Sequence, residues 1–443
     1  MQDPDETIDC DVLVIGGGPA GSTAAAFLGR AGRRVLQLEK DRHPRFHIGE
    51  SLLPANLPIL DELGVLEKTR ALGVYKSGAD FPRPDGSYQT FHFHRALGKT
   101  PPHAFQVKRE EFDAMLFAHA REAGVDAREG IKVETVEPGG IGAVTARARD
   151  ADGRVFNVRA RYLVDASGRD TLLANQLGFK QKNPKHQSAA IFAHFRGVTL
   201  REGEDAGNIS IYNFAHGWCW FIPLRDGCVS IGCVCWPEYL KTRQGGDNAE
   251  FLLATLRMMP HAWKRMENAE RIGDVRVTGN YSYTCTCMAG PGFVMVGDAW
   301  AFVDPVFSSG VYLAMHSGKQ AAALIDAVLN APARERALQA RFTRRIRRGV
   351  RVFSWFIYRF NSPVMRQMFA EPRNFLRVED GVVSMLAGDV FDSAPVMRRV
   401  YLFRFIYACQ SVLRLRSWFG ELRARRRQAK SVFSGGNTPA DPA

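Results

Sequence analysis

Asp11-Val12-Leu13-Val14-Ile15-Gly16-Gly17-Gly18-Pro19-Ala20-Gly21 decides the fold of this chain. The run from Asp11 to Ile15 reads as a short buried strand. Gly16, Gly18 and Gly21 follow in G-x-G-x-x-G spacing, and Ala20 to Arg30 reads as a helix. Arg34 to Leu38 then reads as a second strand that ends at Glu39. In such a unit the first glycine permits a tight turn, the second lets backbone approach a pyrophosphate, and the third lets helix pack on strand. The helix N-terminus favours negative phosphates, and Glu39 is placed to accept hydrogen bonds from a ribose. The alternative, a structural glycine turn, does not account for the ordered strand, helix and terminal acid. The unit alone does not separate FAD from NAD.

The whole chain has 443 residues, which suits two or three packed subdomains. Apolar residues make up 46% and charged residues 24%, so disorder over most of the chain is excluded. The net charge of +13 favours acidic partners or a phosphate-bearing cofactor. The start, Met1 to Glu6, is acidic, so no secretory signal is expected. No apolar run reaches the length of a membrane span. None of the eight cysteines forms a C-x-x-C pair, so free buried thiols in a reducing cytoplasm are expected. His92, His94 and His103 lie close in sequence, but no neighbouring acid or cysteine completes a ligand set, and no metal is expected.

Two later segments refine the first. Val164-Asp165-Ala166-Ser167-Gly168-Arg169 follows a strand-like run. Val294-Met295-Val296-Gly297-Asp298-Ala299 does the same and leads to a helix expected over 311–329. With the N-terminal unit, they resemble the FAD-dependent aromatic monooxygenases. That resemblance implies an α/β fold: a Rossmann-like FAD-binding domain of aromatic-hydroxylase type, an inserted β-sheet substrate domain and a helical C-terminal region. It assigns flavin contacts to Gly297 and Asp298, and a shaping role to Asp165 and Gly168. Arg109 matches a family arginine near the cofactor, or is a solvated charge at a helix start.

Further motifs narrow the resemblance to flavin-dependent halogenases, in the branch acting on phenols or pyrroles. Trp218-Cys219-Trp220-Phe221-Ile222-Pro223 matches W-x-W-x-I-P, and Phe302 to Gly310 resembles F-x-D-P-x-x-S-x-G. Phe46 to Pro54, with Ile48, Gly49, Glu50 and Ser51, looks like the segment beside the flavin. Lys76, in Tyr75-Lys76-Ser77-Gly78-Ala79, matches the place of the essential lysine. The resemblance implies that reduced FAD, O2 and chloride or bromide yield hypohalous acid, which Lys76 relays to an aromatic substrate. It further implies cofactor contacts by Gly16, Gly18, Ala20, Gly21, Glu39, Lys40, Pro305, Gly310 and Val311. Ser309 and Gly310, at a helix start, are the implied halide site, and Ser308 could be an N-cap. Trp218 and Trp220 would wall substrate from flavin, or be plain core on one strand face.

Phe307 stands where halogenases of free tryptophan carry a glutamate, so a phenol or pyrrole is expected, free or tethered to a carrier protein. Phe307 is expected beside the substrate tunnel. With no second dinucleotide fingerprint, a separate flavin reductase is expected as partner, in the setting of secondary-metabolite biosynthesis. Two rivals remain: an aromatic hydroxylase of the same fold, and a flavin-binding protein without turnover that partners a carrier protein or membrane.

The expected FAD-binding domain comprises 1–75, 104–187 and 273–335, and the substrate domain 76–103 and 188–272. A hairpin is read around Asp150 to Gly153. A helical cap is expected over 336–433 and a frayed tail over 434–443. Arg341, Arg344, Arg345, Arg347, Arg348 and Arg351 crowd the start of the cap, and basic residues alternate with Tyr401, Phe403, Phe405, Tyr407, Trp418 and Phe419 later. The mixture suits a helical cover on the tunnel, a dock for an acidic carrier protein, or peripheral contact with anionic membrane. No base-reading module appears, so nucleic acid is not an expected partner.

Overall fold

The computed structural model describes residues 7–183, 188–243, 246–279 and 282–433, with side chains up to Arg414 in the last helix. The expected tail at 434–443 lies outside the described residues, as do the side chains of Trp418 and Phe419.

The strand Thr7–Ile15 lies between Val35–Glu39 and Val155–Asp165, parallel to both. Asp126–Glu129 and Phe293–Met295 extend this sheet in parallel on its two sides. A parallel sheet covered on both faces needs continuous apolar runs, and Val12, Leu13 and Val14 are wholly buried. The hairpin Val144–Asp150 and Val155–Asp165 belongs to this sheet too. The first helix, Pro19–Arg30, opens with a proline, whose missing N–H is free of cost there. It packs on the long helix Ser309–Asn330 at Gly318, where a Cβ would come 2.4 Å from the Ala20 carbonyl oxygen.

A second sheet has seven strands, running from Glu270–Thr278 at one edge to Tyr88–His92 at the other. It therefore extends past residue 272, the border expected from sequence. Its central strand Gly217–Pro223 pairs antiparallel with Ile209–Phe214 and Val229–Cys235. Alternation sends Trp218, Trp220 and Ile222 into the core shared with the first sheet, and Cys219 and Phe221 into a separate core. Cys219 stands directly opposite Cys233, with Cα atoms 4.1 Å apart, and the two form a disulfide. That corrects the expectation of free thiols throughout: cross-strand neighbours meet although their sequence spacing shows no pairing. The other six cysteines are free.

Between the sheets lies a small ladder. Gly73–Lys76 pairs antiparallel with Ala104–Val107. Glu50 to Leu52 adds along the other edge: Val107 N–H donates to Glu50 O (2.8 Å), Leu52 N–H to Phe105 O (3.0 Å), and Ser51 bridges Gln106.

The C-terminal region is helical: Glu335–Ile357, Pro363–Ala370, Val378–Leu386 and Ala394–Phe433. In the first of these, Phe342, Ile346, Val350, Phe353 and Ile357 are buried at helical spacing, while Arg341, Arg344, Arg348 and Arg351 are exposed. Tyr401 and Phe405 remain exposed, whereas Phe403 is buried. Among the described residues no helix is long and apolar enough to cross a membrane. His92 does meet acids, contrary to the sequence reading: Asp205 at 3.0 Å and Glu204 at 3.4 Å, from a turn distant in sequence. Arg201 shares Asp205 at 3.1 Å.

Candidate active site

A cavity of about 660 Å³ runs along the carboxyl ends of the first sheet and under the second, a volume typical of small-molecule and cofactor sites. At one end Gly16, Gly18, Ala20, Glu39, Lys40 and Gly168 line it. Gly16 has φ +105° and a Cβ there would lie 2.3 Å from the Ala166 carbonyl oxygen; one at Gly21 would lie 2.1 Å from the Gly16 oxygen. These two glycines close the turn against strand and helix, and Gly21 stands behind the wall. Gly18 differs: a Cβ there would meet only Arg45 Nη2, at 3.7 Å. Its bare backbone faces the cavity, where a pyrophosphate fits at a helix N-terminus.

Glu39 is buried at the strand end. Its carboxylate accepts from Gly17 N–H (2.6 Å) and Asp41 N–H (2.9 Å), which fixes the glycine turn. Lys40 pairs with Asp170 at 2.5 Å. Arg45 reaches Glu39 at 3.4 Å and Asp113 at 3.5 Å. Asp165 is behind the wall, accepting from Ser167 N–H (2.9 Å) and Leu173 N–H (3.0 Å) to shape the loop that carries Gly168.

At the middle, Ile48, Gly49, Glu50, Arg109, Asp298, Pro305, Gly310 and Val311 line the cavity. Arg109 donates through Nε and Nη2 to Asp113 (2.8 and 2.9 Å) and through Nη1 to Ile48 O (2.7 Å). It is therefore a buried strut that holds the 48–49 segment, where Gly49 takes φ +102°. Burial, reinforced by Arg109, pushes the His47 imidazole down to about 4, so it is neutral. Burial pushes the Asp298 carboxyl up to about 6, with Arg169 and Arg109 pulling the other way. Gly297 stands behind the wall with φ +56°, and its N–H donates to Ser317 Oγ (2.9 Å).

The helix Ser309–Asn330 starts two residues earlier than expected, so Ser309 lies in its first turn. Ser308 sits at the N-cap position with φ +55° but makes no side-chain cap bond. Ser309 Oγ is buried and has no protein partner, and a Cβ at Gly310 would meet nothing within 4 Å. Open backbone at both Gly18 and Gly310 fits a dinucleotide and an anion, while Ser309, expected at the halide, does not itself line the cavity.

The far end is different in character. Trp218, Trp220 and Ile222 form an apolar wall. The two indoles lie 5.8 Å apart, and Trp220 Nε1 donates to Ser230 Oγ at 3.1 Å. Behind Ser51 lies Lys76, 1% exposed. Its Nζ donates to Ser51 Oγ (2.9 Å) and Leu52 O (3.1 Å), and sits 5.3 Å from the centre of the Phe93 ring. No carboxylate pairs with it among the described residues, and burial brings its pKa down to about 7. Lys76 does not line the cavity; Ser51 does.

Phe307 departs from its expected place beside a tunnel. It is buried against Phe356, Phe360 and Phe369 of the C-terminal region, with ring centres 5.4 to 6.5 Å away, and does not line the cavity. Sequence reading missed Arg45, Ser167 and Glu50's partner, His194, which approaches Oε1 at 2.9 Å. Arg45 follows Glu39 closely and a basic residue near a phosphate motif could have flagged it. His194 carries no signal beyond its place in a strand.

Comparison with known proteins places these features in a family. The FAD binding domain model matches residues 9–355. The chain is 37% identical over 333 residues to the tryptophan 2-halogenase of Chondromyces crocatus, covering 74% of this chain and 63% of that protein. It is 31% identical over 411 residues to the 1H-pyrrole-2-carbonyl-[peptidyl-carrier protein] chlorinase of Pseudomonas fluorescens, covering 86% and 90%. The solved myxobacterial chondrochloren halogenase CndH superposes with a TM-score of 0.75 at 32% identity, over 90% of this chain and 97% of that one. The chain thus spans less than two thirds of the first of these relatives and nearly all of the other two. With its glycine cradle, walled cavity and buried lysine, this chain belongs to the flavin-dependent halogenases of the FAD-binding-domain family.

Proposed function

We propose that the protein halogenates an electron-rich aromatic substrate, a phenol or pyrrole, through Lys76. The carrying observation is the amine itself: buried, joined to neutral oxygens only, and one hydrogen bond behind the cavity wall. When bound, reduced FAD with O2 supplies the oxidising equivalent that converts chloride or bromide to hypohalous acid. Gly18, Glu39 and Lys40 would hold its nucleotide end, and Asp298, Pro305 and Gly310 its far end. Ser309 and Gly310 would hold the halide.

The chain's residues then have separable tasks. Trp218 and Trp220 keep an organic molecule and bulk water from the flavin end. A pKa near 7 leaves both forms of Lys76 populated at neutral pH. The ammonium form donates a hydrogen bond to hypohalous acid. The free amine can take the halogen, losing water as an N–halogen bond forms. Transfer to the aromatic carbon breaks that bond, and the ring proton leaves as the amine is restored.

The pyrrolyl carrier-protein chlorinase among the relatives supports a carrier-tethered substrate, and the absence of a second dinucleotide fingerprint in the sequence supports a separate reductase. The test is Lys76→Ala in a reductase-coupled assay with bromide, against phenols and pyrrolyl carrier-protein thioesters. The variant should bind FAD and oxidise FADH2 as the wild type does, with halogenated product down on the order of a hundredfold or more. Substantial halogenation by the variant contradicts the role of the lysine. Hydroxylated product from the wild type, with NADPH alone and no halide, would favour a hydroxylase instead.

A further inference from the structure

We propose that His194 is a positioning residue: its ion pair with Glu50 pins the segment that presents Ser51 to Lys76. The inference rests on the Lys76 reading above. His194 lies on Ala189–Arg196 of the seven-stranded sheet, and its Nε2 approaches Glu50 Oε1 at 2.9 Å. Glu50 belongs to the segment beside the nucleotide sheet. It is 1% exposed, lines the cavity, and its Oε2 has no protein partner. His194 is the one side chain hydrogen-bonded to this carboxylate among the described residues.

The main chain carries the effect onward. Glu50 O is held by Val107 N–H, and the next residue, Ser51, bridges Gln106 and accepts from Lys76 Nζ. Lys76 itself pairs with Ala104 on the same strand. A displaced Glu50 therefore displaces the hydroxyl that holds the amine. A buried carboxylate without its cation must find water or a proton, and either opens the packed segment.

The surroundings of His194 favour its charged form. Burial alone would lower the imidazole pKa, but the Glu50 carboxylate outweighs it and holds the group above the ordinary histidine range. Glu110 adds to this and Lys108 opposes it. Phe46 packs on the ring at 5.8 Å, and Arg276 lies across the Phe46 ring at 3.6 Å. Its strand neighbours Ser230 and Ile272 carry no charge.

The experiment uses two readouts, one of which needs no turnover. In full-length protein carrying 13C at lysine Cε, the chemical shift of the Lys76 signal gives the pH midpoint of Lys76. Product per FADH2 consumed gives coupling. His194→Leu should move the Lys76 midpoint up by about one pH unit, as the amine becomes better solvated, and lower coupling about tenfold. His194→Gln, which keeps a donor for Glu50 but not the cation, should fall between His194→Leu and wild type in both readouts. If His194→Leu does not fold, Glu50→Gln takes its place, with the same upward midpoint and loss of coupling expected. An unchanged midpoint in the folded variant overturns the proposal, even if coupling falls. A normal midpoint shift in a protein whose wild type halogenates nothing would overturn the function and leave the positioning role standing.

Discussion

The two ends of the cavity treat a lysine in opposite ways. Lys40, at the nucleotide end, is half-exposed and paired with Asp170; burial alone would lower its pKa, yet the carboxylate outweighs it and raises it. Lys76, at the far end, meets only a hydroxyl and a carbonyl, and burial lowers it to about 7. A cation with a carboxylate in reach of water is a holder of charge. A cation desolvated among neutral groups can shed its proton, which an amine must do to react. The difference lies in the surroundings of two identical side chains.

The sharpest break is expected at the glycine turn that shapes the nucleotide end. Gly16→Ala places a Cβ against the Ala166 carbonyl at a φ of +105°. It should cost on the order of 3 kcal/mol in stability. FAD binding, followed by flavin fluorescence, should be lost. Retained binding would show that the turn is not the cradle.

A second effect should separate the two lysines by pH. Lys76 in the unfolded chain keeps its proton up to the usual 10.5, but in the fold sheds it near 7. The unfolded state thus binds more protons between these values, and this group's contribution to stability rises with pH there. Below 7 its burial penalty is fully present. Lys76→Met should therefore be stabilising by up to about 5 kcal/mol at pH 6, less the cost of the two abandoned oxygens, and the gain should fade by pH 10. Thermal melts across that range check it. A gain independent of pH would mean packing, not charge, is responsible.

The smallest effect belongs to Lys40→Met. An ion pair that exposed contributes little, so FAD affinity should weaken by less than about fivefold, with the difference shrinking in high salt. A hundredfold loss would erase the contrast between the ends.

The same contrast explains what could be read from sequence. The nucleotide end is made by chain neighbours: Gly16 to Gly21, then Glu39 and Lys40 at the next strand end. Local spacing dictates local geometry, so these residues were legible one by one. The far end gathers Ser51, Lys76, Phe93 and Trp220 from separate segments, and only motif resemblance pointed to Lys76. Resemblance did not reveal that Ser51 holds its Nζ, nor that His194 braces Glu50, because both depend on strand pairing between distant stretches. Phe307 was legible as a replacement for an acid, but not as the floor of an aromatic cluster whose other rings arrive from the C-terminal helices. Cys219 and Cys233 likewise meet only once two strands are in register.

The state of one amine tests the account most directly. In protein carrying 13C at lysine Cε, the Lys76 signal, assigned by its loss in Lys76→Met, can be followed through pH. The account predicts a midpoint near 7, apart from the remaining lysines. A midpoint at the ordinary lysine value of about 10.4 would contradict it.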